Sequence, residues 1–276
     1  MTGAQRFFAR YPVTFLLAAT TLLLLLVASF LPTPHDYNQQ DLDNRFAPPV
    51  PLEGSSRALP LGTDNLGRDM LSRTMAGIRI SFFIAFAGTV IGAIIGTTLG
   101  FAAARFGGIV DNTVVMLVDI QASLPFILVA IALLSVIDSS FTVLVILLGF
   151  AGWERYARLT RGMSMSAMKH GYALAVGALG ASQSRIFVRH ILPNISSALI
   201  VNMTLNFPGT MIAEGSLSFL GLGIQPPLVS LGRLLGEGRV YLLTAWWVTV
   251  VPGIVIFVST LAMTVIGDWV RDRLSS

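Results

Sequence analysis

Long apolar segments without charged side chains dominate this chain and constrain its fold more than any other feature. The first such segment runs from Val13 to Leu31, and another runs from Phe82 to Ala104. At 1.5 Å per residue, a helix of the first segment's length spans about 28 Å, close to the hydrocarbon thickness of a bilayer. Only 12% of the 276 residues are charged, about half the share in soluble domains. The sequence therefore predicts an all-α integral membrane protein.

Six segments are expected to cross the membrane, and Pro125 is expected to kink the third of them. Their bounds are 13–31, 82–104, 113–137, a fourth that begins at 141–153, 195–217 and 246–266. With this topology, eleven basic residues lie on one side of the membrane and seven on the other. Because the side richer in Arg and Lys is normally cytoplasmic, both termini are predicted to be cytoplasmic.

Three regions follow from this arrangement. Residues 1–31 form the N-terminal cytoplasmic end and the first transmembrane helix. Residues 32–81 form an extracytoplasmic loop, in which 61–81 are predicted to make an amphipathic surface helix with Asp64 as its N-cap. Residues 82–276 form the membrane core, with a cytoplasmic loop at 154–194.

Glycine recurs at every fourth position of the second span, at Gly88, Gly92, Gly96 and Gly100. Four residues are close to one helical turn, so these glycines share one face. A face of this kind lets two helix backbones approach closely. The pattern predicts a tightly packed partner helix along this span.

Several function classes are disfavoured by what the chain lacks. It contains no cysteine, which excludes disulfides and thiolate metal sites. Its three histidines (His35, His170, His190) are scattered, so a dedicated metal site is not expected. No Gly-Lys-Ser/Thr nucleotide loop and no catalytic constellation is present. Basic residues are not clustered on a soluble domain, which disfavours nucleic-acid binding. Transport or a scaffold role remains.

Few polar residues lie within the predicted spans. Acidic residues inside a membrane are functional candidates by default, and here they are Glu214 and, more weakly, Asp119. Met203 and Asn206 in the fifth span are further candidates for lining a substrate path. Core or lipid-facing positions are the common alternative for residues of these types.

The segment Arg155 to Pro193 is the longest polar interruption in the second half of the chain. It holds six basic residues and no acidic one. Short helix-compatible pieces, broken by Gly171 and Gly180, would form a compact knob that fits a groove on a partner. The alternative is a surface helix held by anionic lipid. The residues alone do not decide between the two.

The same segment resembles the cytoplasmic signature of ABC-importer permeases, in its peptide branch. The matching residues are Tyr172, Ala175, Ala178, Leu179, Gly180, Ala181, His190, Ile191, Leu192, Pro193 and Asn194. Other blocks resemble the same branch in order: LGTDNLGRDMLSR, FGGIVD, YARLTRG, SLSFLGLGIQPP and GDWVRDRL. The chain is similar to the second permease subunit of dipeptide, oligopeptide and nickel ABC importers.

This resemblance implies a type I importer permease with six transmembrane helices in the bacterial cytoplasmic (inner) membrane. It implies a homologous second permease, two ATPase subunits that bind the ATP and magnesium, and an extracytoplasmic substrate-binding protein. This chain itself would hold no cofactor. The residues that the resemblance assigns to ATPase docking are Arg161, Tyr172, Leu174, Ala175, Gly180, His190 and Pro193.

One departure from the family pattern falls in the docking signature. Leu174 occupies the position of the family's glutamate, and Val176 and Gly177 replace a usual alanine and a usual basic residue. We hypothesise that docking relies here on packing and on the loop's arginines. The Leu174→Glu variant tests this, because coupling of ATP hydrolysis to uptake that stays unchanged would mean that the position carries little.

The cargo expected from the resemblance is a di- or oligopeptide. Nickel chelates, opines and glutathione are served by the same branch and stay open. A stand-alone ion-coupled carrier, with Asp119 or Glu214 as its coupling site, and a membrane scaffold are the alternatives from other classes.

Overall fold

The computed structural model describes residues 12–169 and 182–275. Within these ranges the named elements are all helical, which confirms the predicted fold class. The helices are α1 (Pro12–Phe30), α2 (Met70–Phe106), α3 (Gly108–Ser123), α4 (Phe126–Leu134), α5 (Phe141–Gly149), α6 (Trp153–Met168), α7 (Gln183–Ile186), α8 (Leu192–Phe219), α9 (Leu231–Gly238) and α10 (Trp247–Ser275). A π-helical turn, Phe187–Ile191, joins α7 to α8. We call the end of the bundle near Met70 outer and the end near Phe106 inner.

Four helical stretches are long and apolar enough to cross a membrane. They are 13–30, 70–106, 184–219 and 247–274. A fifth crossing arises if α3 and α4, which meet at an angle of 88°, are taken together. The kink predicted at Pro125 is therefore a break between two helices. The predicted fourth span is also interrupted, at residues 150–152, between α5 and α6.

α2 is the central helix of the bundle, and it starts earlier than the sequence predicted. Asp69, and not Asp64, is its N-cap, accepting hydrogen bonds from the backbone N–H groups of Leu71 and Ser72 at 3.1 and 3.2 Å. Asp64 lies in the preceding turn and accepts from the N–H of Leu66 at 2.8 Å. The expected surface helix within 61–81 is thus the first part of a 37-residue helix. Its outer turns pack against α9.

The other helices pack around α2. Its most extensive contact is with α6, followed by α8 and α5. α1 lies at the periphery against α10 and α2, where Phe15 stacks on Trp269 with ring centroids 4.1 Å apart. The carbonyl of Ser29 near the end of α1 accepts a hydrogen bond from Arg79 Nε at 3.0 Å. Most other side chains of α1 are exposed, as expected for a helix that faces lipid.

Prolines are accommodated within the long helices. Pro193 was expected to stop a helix in the cytoplasmic loop, but it lies in the first turn of α8, a helix of 28 residues. The π-helical turn directly before it changes the hydrogen-bond register at the point where the proline lacks an N–H group. Pro208 within α8 and Pro252 within α10 likewise leave their helices continuous.

Candidate functional site

The predicted docking residues are only partly within the described residues. Tyr172, Leu174, Ala175 and Gly180 lie outside them. Arg161 is bound to Asp111 of α3, with 2.6 Å between Nη2 and Oδ2, and its side chain is 32% exposed. Its guanidinium therefore joins α6 to α3 within this chain, and a further contact to an ATPase stays a prediction.

His190 and Pro193 lie where the π-helical turn meets α8. The His190 carbonyl accepts a hydrogen bond from the Asn194 side chain at 2.9 Å. The same turn is anchored to the bundle by Phe187, which stacks on Phe101 of α2 with ring centroids 3.5 Å apart. Ile191 is fully buried beside it. This turn is therefore packed against the inner part of α2.

Asn206 is buried in the middle of α8 at the level of the break between α5 and α6. Its Oδ1 accepts a hydrogen bond from Arg155 Nη1 at 3.1 Å. Its amide nitrogen would lie 2.8 Å from a Cβ at Gly152, so the glycine lets the Asn206 side chain approach the break closely. Met203, one turn towards the inner end, packs at the edge of the apolar cluster around Tyr156.

Glu214 is enclosed by hydroxyl groups in the outer half of the bundle and is 1% exposed. Oε2 accepts from Ser81 Oγ at 2.9 Å, and Oε1 accepts from Ser218 Oγ at 2.6 Å. Ser81 also accepts from the backbone N–H of Leu231 at the start of α9. The carboxyl group thus connects α2, α8 and α9, and its role in a substrate path stays a prediction.

The small-residue face of α2 packs as predicted, and its partner is α6 together with the preceding break. A Cβ at Gly92 would lie 2.9 Å from the Gly149 carbonyl oxygen, and one at Gly96 would lie 2.6 Å from the Tyr156 Cβ. A Cβ at Gly88 would meet Leu148 and Thr210 at 3.2 and 3.3 Å. The glycines therefore bring α2 into backbone contact with the interrupted fourth span.

A cluster of charges at the outer end was missed by the sequence reasoning. Glu237 of α9 accepts hydrogen bonds from Arg73 at 2.8 Å, from Arg233 at 2.7 Å and from Arg68 at 3.3 Å. Arg68 also donates to Asp64 at 2.7 Å. Arg73 is buried, with a side chain 2% exposed. The LGTDNLGRDMLSR block is therefore the segment that fixes α9 over the outer end of α2.

No group of three or more potential metal ligands lies together in the described part of the chain. Asp119, the weaker acidic candidate, has a side chain 66% exposed and lies 3.3 Å from Arg158. It therefore belongs to the α3–α6 contact near the inner end. Neither observation favours an ion-coupling site.

Comparison with known proteins identifies relatives along nearly the whole chain. The family model for the binding-protein-dependent transport system inner membrane component matches residues 96–276. The di/tripeptide transport system permease protein DppC of Pseudomonas aeruginosa is 37% identical over 255 residues, which cover 92% of this chain and 84% of that protein. The glutathione transport system permease protein GsiD of Pectobacterium atrosepticum is 34% identical over 269 residues, covering 98% and 88%.

A solved structure has a similar fold. The inward facing MetNI methionine ABC transporter aligns with a TM-score of 0.60 and 19% identity. The alignment covers 75% of this chain and 98% of the chain in that structure. At this identity the likeness concerns the arrangement of helices alone.

Proposed function

Because the chain belongs to the family of binding-protein-dependent transport system inner membrane components, we propose that it is the permease subunit of an ATP-driven importer of di- and oligopeptides. The resemblance inferred from its motifs is confirmed by that membership. The proposal of a peptide cargo rests on the 37% identity, over 92% of the chain, to a di/tripeptide permease. The chain is a transport subunit of the inner membrane and crosses it several times.

The proposed assembly contains a homologous second permease, two ATPase subunits and an extracytoplasmic substrate-binding protein. ATP and magnesium would be bound by the ATPases. Within the basic segment 154–194, the part that follows Arg155 would be the docking surface on the inner side. Its support is the stacking of Phe187 on Phe101, which links the far end of this segment to the central helix.

In this proposal, closure of the two ATPases moves the docking segment and tilts α2 and α8 together. The Arg161–Asp111 ion pair makes α3 follow α6. At the outer end, the contacts of Glu214 and Glu237 make α9 follow α2. These joints would convert a movement inside into opening of the path outside, in the manner of alternating access by rocking helices.

Glutathione is the second candidate cargo, because a glutathione permease is 34% identical over 98% of the chain. Glutathione is itself a modified tripeptide, so the two proposals differ in the cargo and share the mechanism. An uptake assay that compares a tripeptide with glutathione distinguishes the two proposed cargoes.

The test of the proposed function is co-purification. The tagged chain is extracted in mild detergent and its companions are identified by mass spectrometry. We expect two ATPases and a second permease, and peptide uptake by the recovered complex that stops when ATP is removed with the ion gradients held. Recovery of the chain alone, with uptake that follows an ion gradient, would favour the stand-alone carrier.

A further inference from the structure

Arg155 lies level with the middle part of α2. Between Arg79 and Arg105, α2 has no charged side chain, and Gly92 is the middle residue of that stretch. A Cβ at Gly92 would lie 2.9 Å from the Gly149 carbonyl oxygen and 3.6 Å from the Trp153 nitrogen. The break before α6 therefore packs against the midpoint of α2, and Arg155 follows two residues later.

The guanidinium of Arg155 stays at this depth. Its Nη1 donates to Asn206 Oδ1 at 3.1 Å, and Asn206 is close to the middle of the 28-residue helix α8. From the sequence, Arg155 was predicted to lie in the cytoplasmic loop. The structure instead places its charge roughly 15 Å from the inner end of α2, because its neighbour Tyr156 contacts Gly96, ten residues before Phe106.

The side chain of Arg155 is 63% exposed in this chain. A cationic side chain at the centre of a helix that faces lipid costs about 2.5–3.5 kcal/mol on insertion scales, and such residues face water or protein instead. The exposed side of Arg155 must therefore adjoin an aqueous space or another chain.

The surroundings of Arg155 leave its hydrogen-bonding capacity largely free. Asn206 takes one of the five N–H groups of the guanidinium. The neighbouring acid, Glu154, forms an ion pair with Arg155, with 3.6 Å between its Oε1 and Nε, a distance too long for a hydrogen bond. The planar fork of a guanidinium suits a carboxylate, which it can bind through two parallel N–H···O bonds.

An open groove begins one helical turn from Arg155, on the side of the inner end of the bundle. Leu159, one turn beyond Arg155, and Asn202, one turn below Asn206, both line it, and its volume is about 400 Å³. Apolar side chains, among them Val201 and Leu205, form most of its wall, and Ser197, Asn202 and Arg271 are its polar members. Because the groove is open, it offers water a route towards the charge.

We propose that Arg155 lines the aqueous translocation path, held in place by Asn206, and binds a carboxylate group of the transported peptide. The inference rests on the proposed function, because it takes the cargo to be a peptide. A peptide released from an external binding protein would find at Arg155 a cation at mid-membrane depth, and the groove beyond it would lead to the cytoplasm.

Cysteine labelling tests the position of Arg155, since the chain has no cysteine of its own. The whole importer carrying Arg155→Cys is treated in vesicles with a charged methanethiosulfonate, and modification of this chain is read by mass spectrometry. We expect modification that an excess of trialanine slows. The matched control is Ile94→Cys, two residues from Gly92 and 59% exposed, which we expect to be unreactive because an apolar side chain exposed at this depth faces lipid.

Uptake by the reconstituted importer tests whether Arg155 binds the carboxylate of the transported peptide. Loss of a hydrogen bond to a charged group costs about tenfold in binding or more, so Arg155→Gln should lower trialanine uptake at least tenfold and reduce the preference for trialanine over its C-terminal amide. Arg155→Lys should retain part of the trialanine uptake and part of the preference over the amide. Arg158→Gln is the control, because Arg158 is on the same helix with a side chain 56% exposed, and it should leave the preference unchanged.

Two results would overturn the inference while the proposed function stands. One is an Arg155→Cys thiol that does not react, which would mean a contact sealed by lipid or by the second permease. The other is an Arg155→Gln importer whose uptake of trialanine, or whose preference over the amide, is that of the wild type. A wild-type importer that takes up no peptide would instead overturn the proposed function, and labelling would still decide whether Arg155 meets water.

Discussion

Glu237 illustrates how much of the outer structure depends on single side chains. Three guanidinium groups, those of Arg68, Arg73 and Arg233, converge on its carboxylate. Asp64 is the second acid of the cluster, so two negative charges stand against three positive ones. The Arg73 side chain is 2% exposed and cannot exchange its partner for water. Loss of Glu237 would leave a buried cation next to two others.

We therefore expect Glu237→Gln to destabilise the outer end of the bundle. Removing one partner of a buried ion pair costs roughly 3–5 kcal/mol, and the 28% exposure of Glu237 places the expected loss at about the lower bound. Thermal unfolding of the purified importer in detergent measures it. Glu53→Gln is the control, because Glu53 is exposed in the same outer region. Equal unfolding temperatures for the two variants would contradict this account.

This cluster could not be predicted from the sequence. Residues 61–81 were predicted to form a surface helix with scattered charges. Their carboxylate partner lies 164 residues after Arg73 and belongs to a short helix in a segment predicted only as an outer loop. A charged residue in the sequence does not indicate which distant residue it pairs with. The ion pairs of Glu237 form because tertiary packing brings α9 onto the outer end of α2.

At the scale of elements, the contact between α2 and α6 is the one the sequence predicted best. Glycine spacing specifies which face of α2 is bare, and the structure fills that face with the backbone of α6 and the break before it. The break itself was not predicted, because the apolar run 141–153 contains no proline and only the glycines Gly149 and Gly152. The fourth span was therefore predicted as one continuous helix, because an uninterrupted apolar run of this length is typical of one.

Gly96→Ala should separate α2 from α6. The added methyl would overlap the Trp153 carbonyl oxygen and come 2.6 Å from the Tyr156 Cβ, and overpacking of this kind costs about 1–3 kcal/mol. Lower thermal stability and lower uptake are the expected results. Gly209→Ala is the matched control, because Gly209 is also helical but has open space around it. Equal thermal stability and uptake for the two variants would show that Gly96 is not needed for close packing of α2 on α6.

The ion pair between Arg161 and Asp111 links α6 to α3 near the docking segment. Each single reversal, Arg161→Asp or Asp111→Arg, places like charges together and should reduce the coupling of ATP hydrolysis to uptake. The double reversal restores opposite charges and should recover most of that coupling. The experiment measures transported peptide per ATP hydrolysed. A double variant as impaired as Arg161→Asp alone would show that Arg161 acts through an ATPase instead.

For the whole molecule, the sequence predicted the class and the membrane environment, while the exact number of crossings depends on the two interrupted spans. Gln225, in the segment between α8 and α9, donates to Ser139 Oγ at 3.2 Å. The turn between α4 and α5 therefore lies at the same end of the bundle as α9. Since α3 begins next to the inner end of α2, the pair α3–α4 runs from the inner to the outer end despite its bend. The α5–α6 pair then returns to the inner end, and the six crossings obtained by counting each interrupted pair as one span stay a prediction.

Six crossings require both termini on the same side, and this can be tested because the chain has no cysteine. Single variants Thr2→Cys, Ser276→Cys, Glu53→Cys and Asp138→Cys are treated in intact spheroplasts with a maleimide that cannot cross the membrane. Glu53→Cys and Asp138→Cys should be labelled at once, whereas the two terminal variants should react only after permeabilisation. Labelling of one terminus from outside would mean an odd number of crossings, and protection of Asp138→Cys would mean that α3 and α4 turn back within the membrane.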